Sequence, residues 1–506
     1  MTRHDAEKRL KNLAVTSADA VFALGLDLLK ADHPELLLPT ALVAAERHPA
    51  NPRIQQLLGL TARALGESRI ANSAFACAAA LAPADPLIAH SHARAALEAG
   101  ADAIALFDRA AQLAPGDGAV LLGRAAARID QGQAAEAAAE LAAIIEKNAL
   151  WLDGQRALAH LRGELGLDPT KAIEHALRAH PKNPSLHLSH ITINLEACRL
   201  AEAERAARSA IDSLGDTPWV TEVSAHIASE AADIKRADQL FDRAGPPAQI
   251  GDVANRVRHL IRAGRPERAS ELIDRWIDRD PDRLLWPYRA LVWRMLGDAR
   301  AAWLEGDARF VGVYDLANRI GNLSALADHV RERHFARSAP LDQSVRGGTQ
   351  TDGNLLIRDE APLSELRALI LDTVRQYVAQ LPPADVRHPT LLAHRDPLRI
   401  AGSWSVRLQG EGFHTDHVHS QGWISSAFYI ALPDLATTMP GAESHPGWLT
   451  LGTSRDLAPG LPPVQLVEPK PGRLVLFPST MWHGTRPFLS GERMTVAFDI
   501  ARPNQG

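Results

Sequence analysis

Between Ser403 and Arg502 the chain gathers side chains that bind metals and anions. Gly412-Phe-His414-Thr-Asp416-His417-Val-His419 brings three imidazoles and a carboxylate into one short run, and His483 follows in Phe477-Pro-Ser-Thr-Met-Trp-His483-Gly-Thr485. Residues two apart on an extended strand project to one face and can grip a single ion. His417 and His419 have that spacing, and so do His414 and Asp416. Positions 416 and 417 face opposite ways on a continuous strand, so only one pair is expected as the near ligand set. The third ligand must come from elsewhere, and His483 is the candidate. It follows Arg473-Leu-Val-Leu-Phe477, an apolar run bounded by Pro471-Gly472 and Pro478, which reads as a buried strand. Two close ligands, one distant histidine and open coordination positions make the facial arrangement of non-haem Fe(II) sites.

Arg493 opens the run Arg-Met-Thr495-Val-Ala-Phe-Asp-Ile500 just after the Ser490-Gly491 turn. Arg493 and Thr495 share one face of that strand and offer a forked cation and a hydroxyl to a carboxylate. A strand from Trp423 to Leu432 brings Tyr429 within reach of the same pocket. A dicarboxylic co-substrate suits this set. Any one of these residues alone reads more simply as a packed or solvated strand residue, so the ordered set carries the inference.

That ordered set resembles the iron- and 2-oxoglutarate-dependent oxygenases, whose core is a double-stranded β-helix or jelly roll. It is similar above all to bacterial members that pair His-x-His with Gly-Trp-Ile-Ser-Ser, Phe-Pro-Ser and Trp-His-Gly-Thr, here Gly422 to Ser426, Phe477 to Ser479 and Trp482 to Thr485. The resemblance covers roughly residues 340–503. It implies that His417, His419 and His483 form the catalytic metal site, and that Arg493 holds the far carboxylate of 2-oxoglutarate with Thr495 and Tyr429 beside it. The broad superfamily uses His-x-Asp/Glu, which His414-Thr-Asp416 also fits, so His414 and Asp416 stand as the alternative near pair. Ser420 occupies a position where the nearer group carries proline. The implied cofactors are Fe(II), 2-oxoglutarate as co-substrate and O2. The implied chemistry is dioxygenase chemistry, with 2-oxoglutarate decarboxylated to succinate and CO2 and hydroxylation as the default outcome.

The elements that must position this site begin far upstream. Residues 15–300 are rich in alanine and leucine at helical spacing, and turn signals recur at a period near 34. His48-Pro-Ala-Asn-Pro52, Ala82-Pro-Ala-Asp-Pro86, Ala114-Pro-Gly-Asp-Gly118, His180-Pro-Lys-Asn-Pro184 and Gly215-Asp-Thr-Pro218 are the clearest. Such a period signals a solenoid of helical hairpins. Gly59, Ala71, Phe75, Ala78 and Pro83 match the small, small, aromatic, small and proline pattern of the tetratricopeptide repeat, which this region resembles. Later units keep parts of it, at Ala103, Phe107, Ala110 and Pro115, then Ala203, Ala207 and Ala210, then Ala237, Phe241 and Ala244, and at Ala269 and Pro281. Seven or eight hairpins are expected, those around 119–180 degenerate. Stacked hairpins present an extended surface for a protein or peptide partner.

The expected organisation is therefore multidomain, α then mainly β. Residues 1–320 form a tetratricopeptide-like solenoid, 321–355 a capping helix and linker, and 356–506 the jelly roll with supporting helices. A helix from Leu363 to Leu381 should pack on the jelly roll, and Ala458-Pro-Gly-Leu-Pro-Pro463 reads as a surface loop between strands. Near-balanced charge, 55 basic against 60 acidic residues, gives no whole-chain argument for nucleic acid. Two distant cysteines, Cys77 and Cys198, argue against a disulfide framework. The sequence has no signal-peptide core and no membrane-spanning run, so the cytoplasm is the expected compartment. Three functions compete: a hydroxylase of a protein or peptide recruited by the repeats, a small-molecule oxygenase whose repeats serve assembly, and an interaction protein with a catalytically idle jelly roll.

Overall fold

A computed structural model describes residues 1–433 and 445–505. After a short N-terminal helix, nine helical hairpins follow, whose first helices are Ala18–Lys30, Pro52–Ala64, Pro86–Glu98, Gly118–Asp130, Leu152–Glu164, Pro184–Glu196, Pro218–Glu230, Ile250–Arg262 and Trp286–Met295. The recurring turn signals are helix starts. Asn51, Asp85, Asp117 and Asn183 are N-caps whose side chains accept hydrogen bonds from the first backbone N–H groups, with Pro52, Pro86 and Pro184 at the first helical position. Small residues set the spacing between paired helices. A Cβ on Gly59 would lie 2.7 Å from the Phe75 ring, and one on Gly123 would lie 2.2 Å from the Phe107 ring.

The hairpin count exceeds the expected seven or eight. Residues 119–180 keep the repeat geometry with fewer of its marks, because Gly118 and Leu152 begin helices where other units use proline. The ninth pair, Trp286–Met295 and Arg300–Glu305, lies where the sequence pattern fades and is held by the Trp286, Trp293 and Trp303 cluster. No described helix is long and apolar enough to cross a membrane. Both cysteines are free thiols.

The C-terminal domain is a curled antiparallel jelly-roll sheet of β1 (Gly312–Asp315), β2 (Val345–Gln350), β3 (Ile400–His417), β4 (Gly422–Ala431), β5 (Leu449–Leu451), β6 (Gln465–Val467), β7 (Arg473–Pro478), β8 (His483–Thr485) and β9 (Glu492–Ala501). The order is β1-β7-β4-β9-β3-β8-β5-β6, with β2 also on β3. One half of β3 pairs with β9 and its last residues pair with β8, so this 18-residue strand links both ends of the site. Alternation divides β9. Met494, Val496, Phe498 and Ile500 are fully buried in a core that includes Leu363, Leu366, Ile370 and Val374 of the helix Ala361–Gln380, while Arg493, Thr495, Ala497 and Asp499 take the other face.

Two expectations about boundaries change. β1 lies inside the expected solenoid and β2 inside the expected linker, yet both are strands of the jelly-roll sheet. Four residues and a glycine-rich stretch carry too little alternation to announce strands, and pairing with β7 and β3 supplies the order. The segment 458–463 is, as expected, a loop between β5 and β6 with Pro459, Gly460 and Pro462 exposed, and the chain around it touches the repeats. Leu457 and Leu461 pack with Val257, Leu260 and Leu291 of the last repeats, and Asp456 pairs with Arg258 at 3.1 Å and Arg262 at 2.7 Å.

That contact belongs to a long seam. The region where the two helices of nearly every hairpin join touches the C-terminal domain. Asp32 binds Arg399, Arg69 meets Asp359 at 2.8 Å, Asp130 holds Arg358 at 2.7 Å, and the Glu164 carbonyl accepts from the Arg337 N–H at 2.9 Å. Arg346 reaches the Cys198 sulfur at 3.1 Å, and the Trp482 indole donates to the Pro287 carbonyl at 2.9 Å.

Candidate metal centre

β3 and β8 bring the histidines together. His417 is the register partner of His483, and β3 ends there. The chain then turns so that the His419 N–H donates to the Ser479 carbonyl at 3.0 Å, which swings the His419 ring back toward the pair. Ring centroids lie 4.1 Å apart for His417 and His483, 5.1 Å for His417 and His419, and 5.0 Å for His419 and His483. One nitrogen from each of these three lies within 4.8 Å of those from the other two.

Hydrogen bonds assign the nitrogens. Nδ1 of His417 is 2.8 Å from the Thr415 carbonyl, Nδ1 of His483 is 3.0 Å from the Met481 carbonyl, and Nδ1 of His419 is 2.9 Å from the Asp499 carboxylate. Each acceptor requires a proton on Nδ1, leaving the lone pair on Nε2. Consistently, the Ser344 hydroxyl lies 3.3 Å from Nε2 of His417. Burial, reinforced by the His419 ring, pushes His417 down to about 3, and burial with neighbouring imidazoles holds His483 and His414 well below the usual histidine range. Uncharged imidazoles with converging lone pairs are the form that ligates a divalent metal.

The alternative pair is split by an irregularity in β3 between His414 and His417. His414 stays on the pocket side, its ring 5.9 Å from that of His417 and its Nδ1 3.1 Å from the Ser344 hydroxyl. Asp416 turns away. Its buried carboxylate accepts from the backbone N–H of Arg455 at 2.7 Å and from the Arg455 guanidinium at 2.9 and 3.0 Å. The expectation that His414 and Asp416 share a strand face therefore does not hold.

Arg493 and Thr495 line the same narrow pocket of about 50 Å³, together with His414, His417, His419 and His483. Arg493 is 2% exposed, its Nε has no hydrogen-bond partner, and its guanidinium lies 5.0 Å from the Tyr429 ring centre. Tyr429 is fully buried with an unpartnered hydroxyl, and burial raises that hydroxyl's pKa. A buried cation with an open Nε donor and, among the described residues, no carboxylate paired with it is a site prepared for an anion.

Several residues around the cluster have no counterpart in the sequence motifs. Asp499 accepts the Ser425 hydroxyl at 2.6 Å as well as His419, and Ser425 lies 2.9 Å from Ser479. Alternation from Arg493 through Thr495 would have placed Asp499 on the pocket face. Nothing local marks Ser344 or Arg455, which arrive from separate loops.

Residues 402–499 match the family model described as "Putative 2OG-Fe(II) oxygenase". No curated protein matches the chain. Among solved structures, a tetratricopeptide repeat protein from Parabacteroides merdae is similar at 17% identity over 45% of this chain and 91% of its own, with a TM-score of 0.29. A prolyl-4-hydroxylase from Pseudomonas putida is similar at 18% identity over 39% of this chain and 95% of its own, with a TM-score of 0.25. Scores this low decide nothing about the chain, whose architecture stands on its own helices and strands.

Proposed function

We propose that the chain is an Fe(II)- and 2-oxoglutarate-dependent dioxygenase that hydroxylates a protein or peptide held beside its repeats. The observation that carries this reading is one pocket holding both three convergent imidazoles and a buried arginine with an open donor. His417, His419 and His483 would hold the metal through Nε2. Arg493 would receive the far carboxylate of the co-substrate through its fork, with Thr495 donating a hydroxyl and Tyr429 bounding the end of the pocket. Such a centre, when loaded, activates O2 to hydroxylate a C–H bond while 2-oxoglutarate becomes succinate and CO2.

The residues of the chain do the rest. The backbone and carboxylate acceptors at Nδ1 hold the imidazoles in one tautomer and orientation. Phe477, 4.8 Å from the His483 ring, and Trp404, 5.6 Å from the His419 ring, limit water around the ligands. Gln343 and Ser344 line the pocket and must turn aside for a co-substrate to enter.

A polypeptide substrate is favoured by a second cavity of about 700 Å³. Helices Pro52–Ala64, Pro86–Glu98 and Gly118–Asp130 line it with Arg63, Leu97 and Leu122, and Asn354 and Ala401 of the jelly roll close it. Gln350 and Trp404 of the metal pocket lie only a few residues farther along the same two chain segments, so at about 3.3 Å per strand residue one extended segment spans both.

The test uses the full chain. An anaerobic titration with Fe(II) and 2-oxoglutarate should give a visible charge-transfer band that is absent in His483→Ala and Arg493→Ala. Succinate release should then be stimulated by peptides rather than small metabolites, and weakened for peptides by Leu122→Glu in the cavity. Absence of the band in folded protein refutes the cofactor reading. Stimulation by small molecules alone, unaffected by Leu122→Glu, refutes the polypeptide reading.

A further inference from the structure

Among the described residues, the histidine cluster has no anionic ligand. Asp416, the carboxylate nearest in sequence, is held by three hydrogen bonds from Arg455, and Gly484 closes over it so tightly that a Cβ there would sit 2.1 Å from Asp416 Oδ1. Three neutral imidazoles would leave both charges of a divalent metal unbalanced by the protein, whereas the common facial site includes one carboxylate. A different carboxylate is wired to the cluster from behind. Both oxygens of Asp499 lie 2.9 Å from Nδ1 of His419, on the side of the ring opposite Nε2. The Ser425 hydroxyl donates to Asp499 at 2.6 Å, fixing the carboxylate, and Ser425 is in turn 2.9 Å from Ser479, whose carbonyl holds the His419 backbone. Asp499 reaches this position because it shares the pocket face of β9 with Arg493 and Thr495.

We propose that Asp499 is a positioning residue that supplies the charge missing from the ligand set, acting through His419. Its carboxylate keeps the proton on Nδ1, aims Nε2 at the metal and increases electron donation from that ring. The site is thus a three-histidine centre with its anion one imidazole removed. The arrangement would leave every ligand position neutral while keeping a part-buried carboxylate behind His419. Asp416 and Asp499 have exchanged roles relative to the common pattern: the carboxylate in the ligand run is structural, and the one on the last strand serves the metal. The inference rests on the metal site proposed above, and its readout is metal binding, which needs no turnover.

The decisive variant is Asp499→Asn in the full chain, because an amide oxygen can still accept the Nδ1 proton while the charge is gone. Metal-free protein is titrated with Fe(II) under anaerobic conditions and with Co(II) as a spectroscopic probe, and each variant is melted without metal to establish that it is folded. Asp499→Asn is expected to bind both ions roughly 10- to 100-fold more weakly and to alter the Co(II) absorption, in the range typical of lost outer partners of a ligand histidine. Asp499→Glu should recover part of the affinity, and Ser425→Ala, which loosens the carboxylate without removing charge, should cost less than Asp499→Asn. Affinity within about twofold of the parent in folded Asp499→Asn would overturn the proposal. So would a larger loss in Asp416→Asn than in Asp499→Asn, since the charge would then come from Asp416. If the parent binds Co(II) but gives no Fe(II)–2-oxoglutarate band, the oxygenase reading fails while the Asp499 comparison still stands.

Discussion

Replacing Arg493 with methionine should move stability and co-substrate binding in opposite directions. The guanidinium is 2% exposed, its Nε is unpartnered, and its principal neighbour is the Tyr429 ring at 5.0 Å. Burying a cation without a counter-ion costs several kcal/mol, and a desolvated cation–π contact returns about 2 kcal/mol of that. Methionine fills much of the same volume and needs no solvation, so the co-substrate-free protein should gain about 1–2 kcal/mol, or roughly 2–8 °C in the melting temperature of a domain this size. The bound state loses a forked contact to a carboxylate, about 3–6 kcal/mol from two hydrogen bonds to a charged group at about 1.5–3 kcal/mol each, or roughly 10²- to 10⁴-fold in Kd. The assay is a melting series with and without 2-oxoglutarate. The parent should rise by about 2.7 kcal/mol at a concentration 100 times Kd, and Arg493→Met should start higher and not respond. A variant that melts below the parent and binds 2-oxoglutarate within threefold would show that Arg493 is a structural cation, and the reasoning would be wrong.

Three further perturbations follow from the same geometry. The Ser344 hydroxyl competes for Nε2 of His417 at 3.3 Å, and one hydrogen bond is worth about 1 kcal/mol, so Ser344→Ala should bind Fe(II) roughly fivefold tighter in an anaerobic titration; weaker binding would mean that Ser344 orients the ring instead. Glu164 sits in the seam, where burial first and then Asp352 and Asp342 push its carboxyl up to about 8. An acid whose folded pKa is raised holds its proton better in the fold, so stability falls as pH rises from about 4.5 to about 8 and then levels. Glu164→Gln should melt above the parent at pH 8.5 with the gap closing by pH 5, and a pH-independent gap would contradict this. Gly484→Ala would drive a Cβ into Asp416, 2.1 Å from Oδ1, and should lower stability by on the order of 2 kcal/mol or more in a denaturant melt; an unchanged midpoint would mean that the Asp416–Arg455 pair yields freely.

The sequence disclosed the repeats because their caps and close contacts are local: Asn51-Pro52, Asp85-Pro86 and Asn183-Pro184 start helices, and Gly59 admits Phe75. It hid the true number because Leu152 begins a helix without a side-chain cap or a proline. Spacing left two near pairs open and the family resemblance favoured His417, His419 and His483; the strand argument was incomplete, since β3 ends at His417 and a hydrogen bond to Ser479 directs His419. The fate of Asp416 was not legible. It depends on Arg455, which lies 39 residues later in a loop whose path is set by β5 and β8, and no local pattern couples such positions. Period-two reasoning stops being reliable at bulges, as between His414 and His417, because one inserted residue reverses every face beyond it.

The seam gives the repeats a role that their resemblance does not suggest. Peptide-binding solenoids offer a free concave surface, but here a row of contacts, one from nearly every hairpin, is committed to the C-terminal domain from Asp32 to Arg294. These contacts are unequal. Arg69, whose side chain is 73% exposed, contributes little against Asp359, whereas Arg358 at 9% exposure bridges Asp130 and Glu360 and would leave buried carboxylates without a partner if lost. Because the partners recur with the repeat, the pitch of the solenoid must match the spacing of Arg399, Arg358, Arg337 and Arg346 on the jelly roll. A residue inserted in a middle hairpin would rotate all later turns off their partners, including Trp482 on Pro287, which adjoins His483. The repeat period is therefore a geometric constraint on the histidine cluster itself, and the cavity between the two domains keeps its shape only while that register is kept.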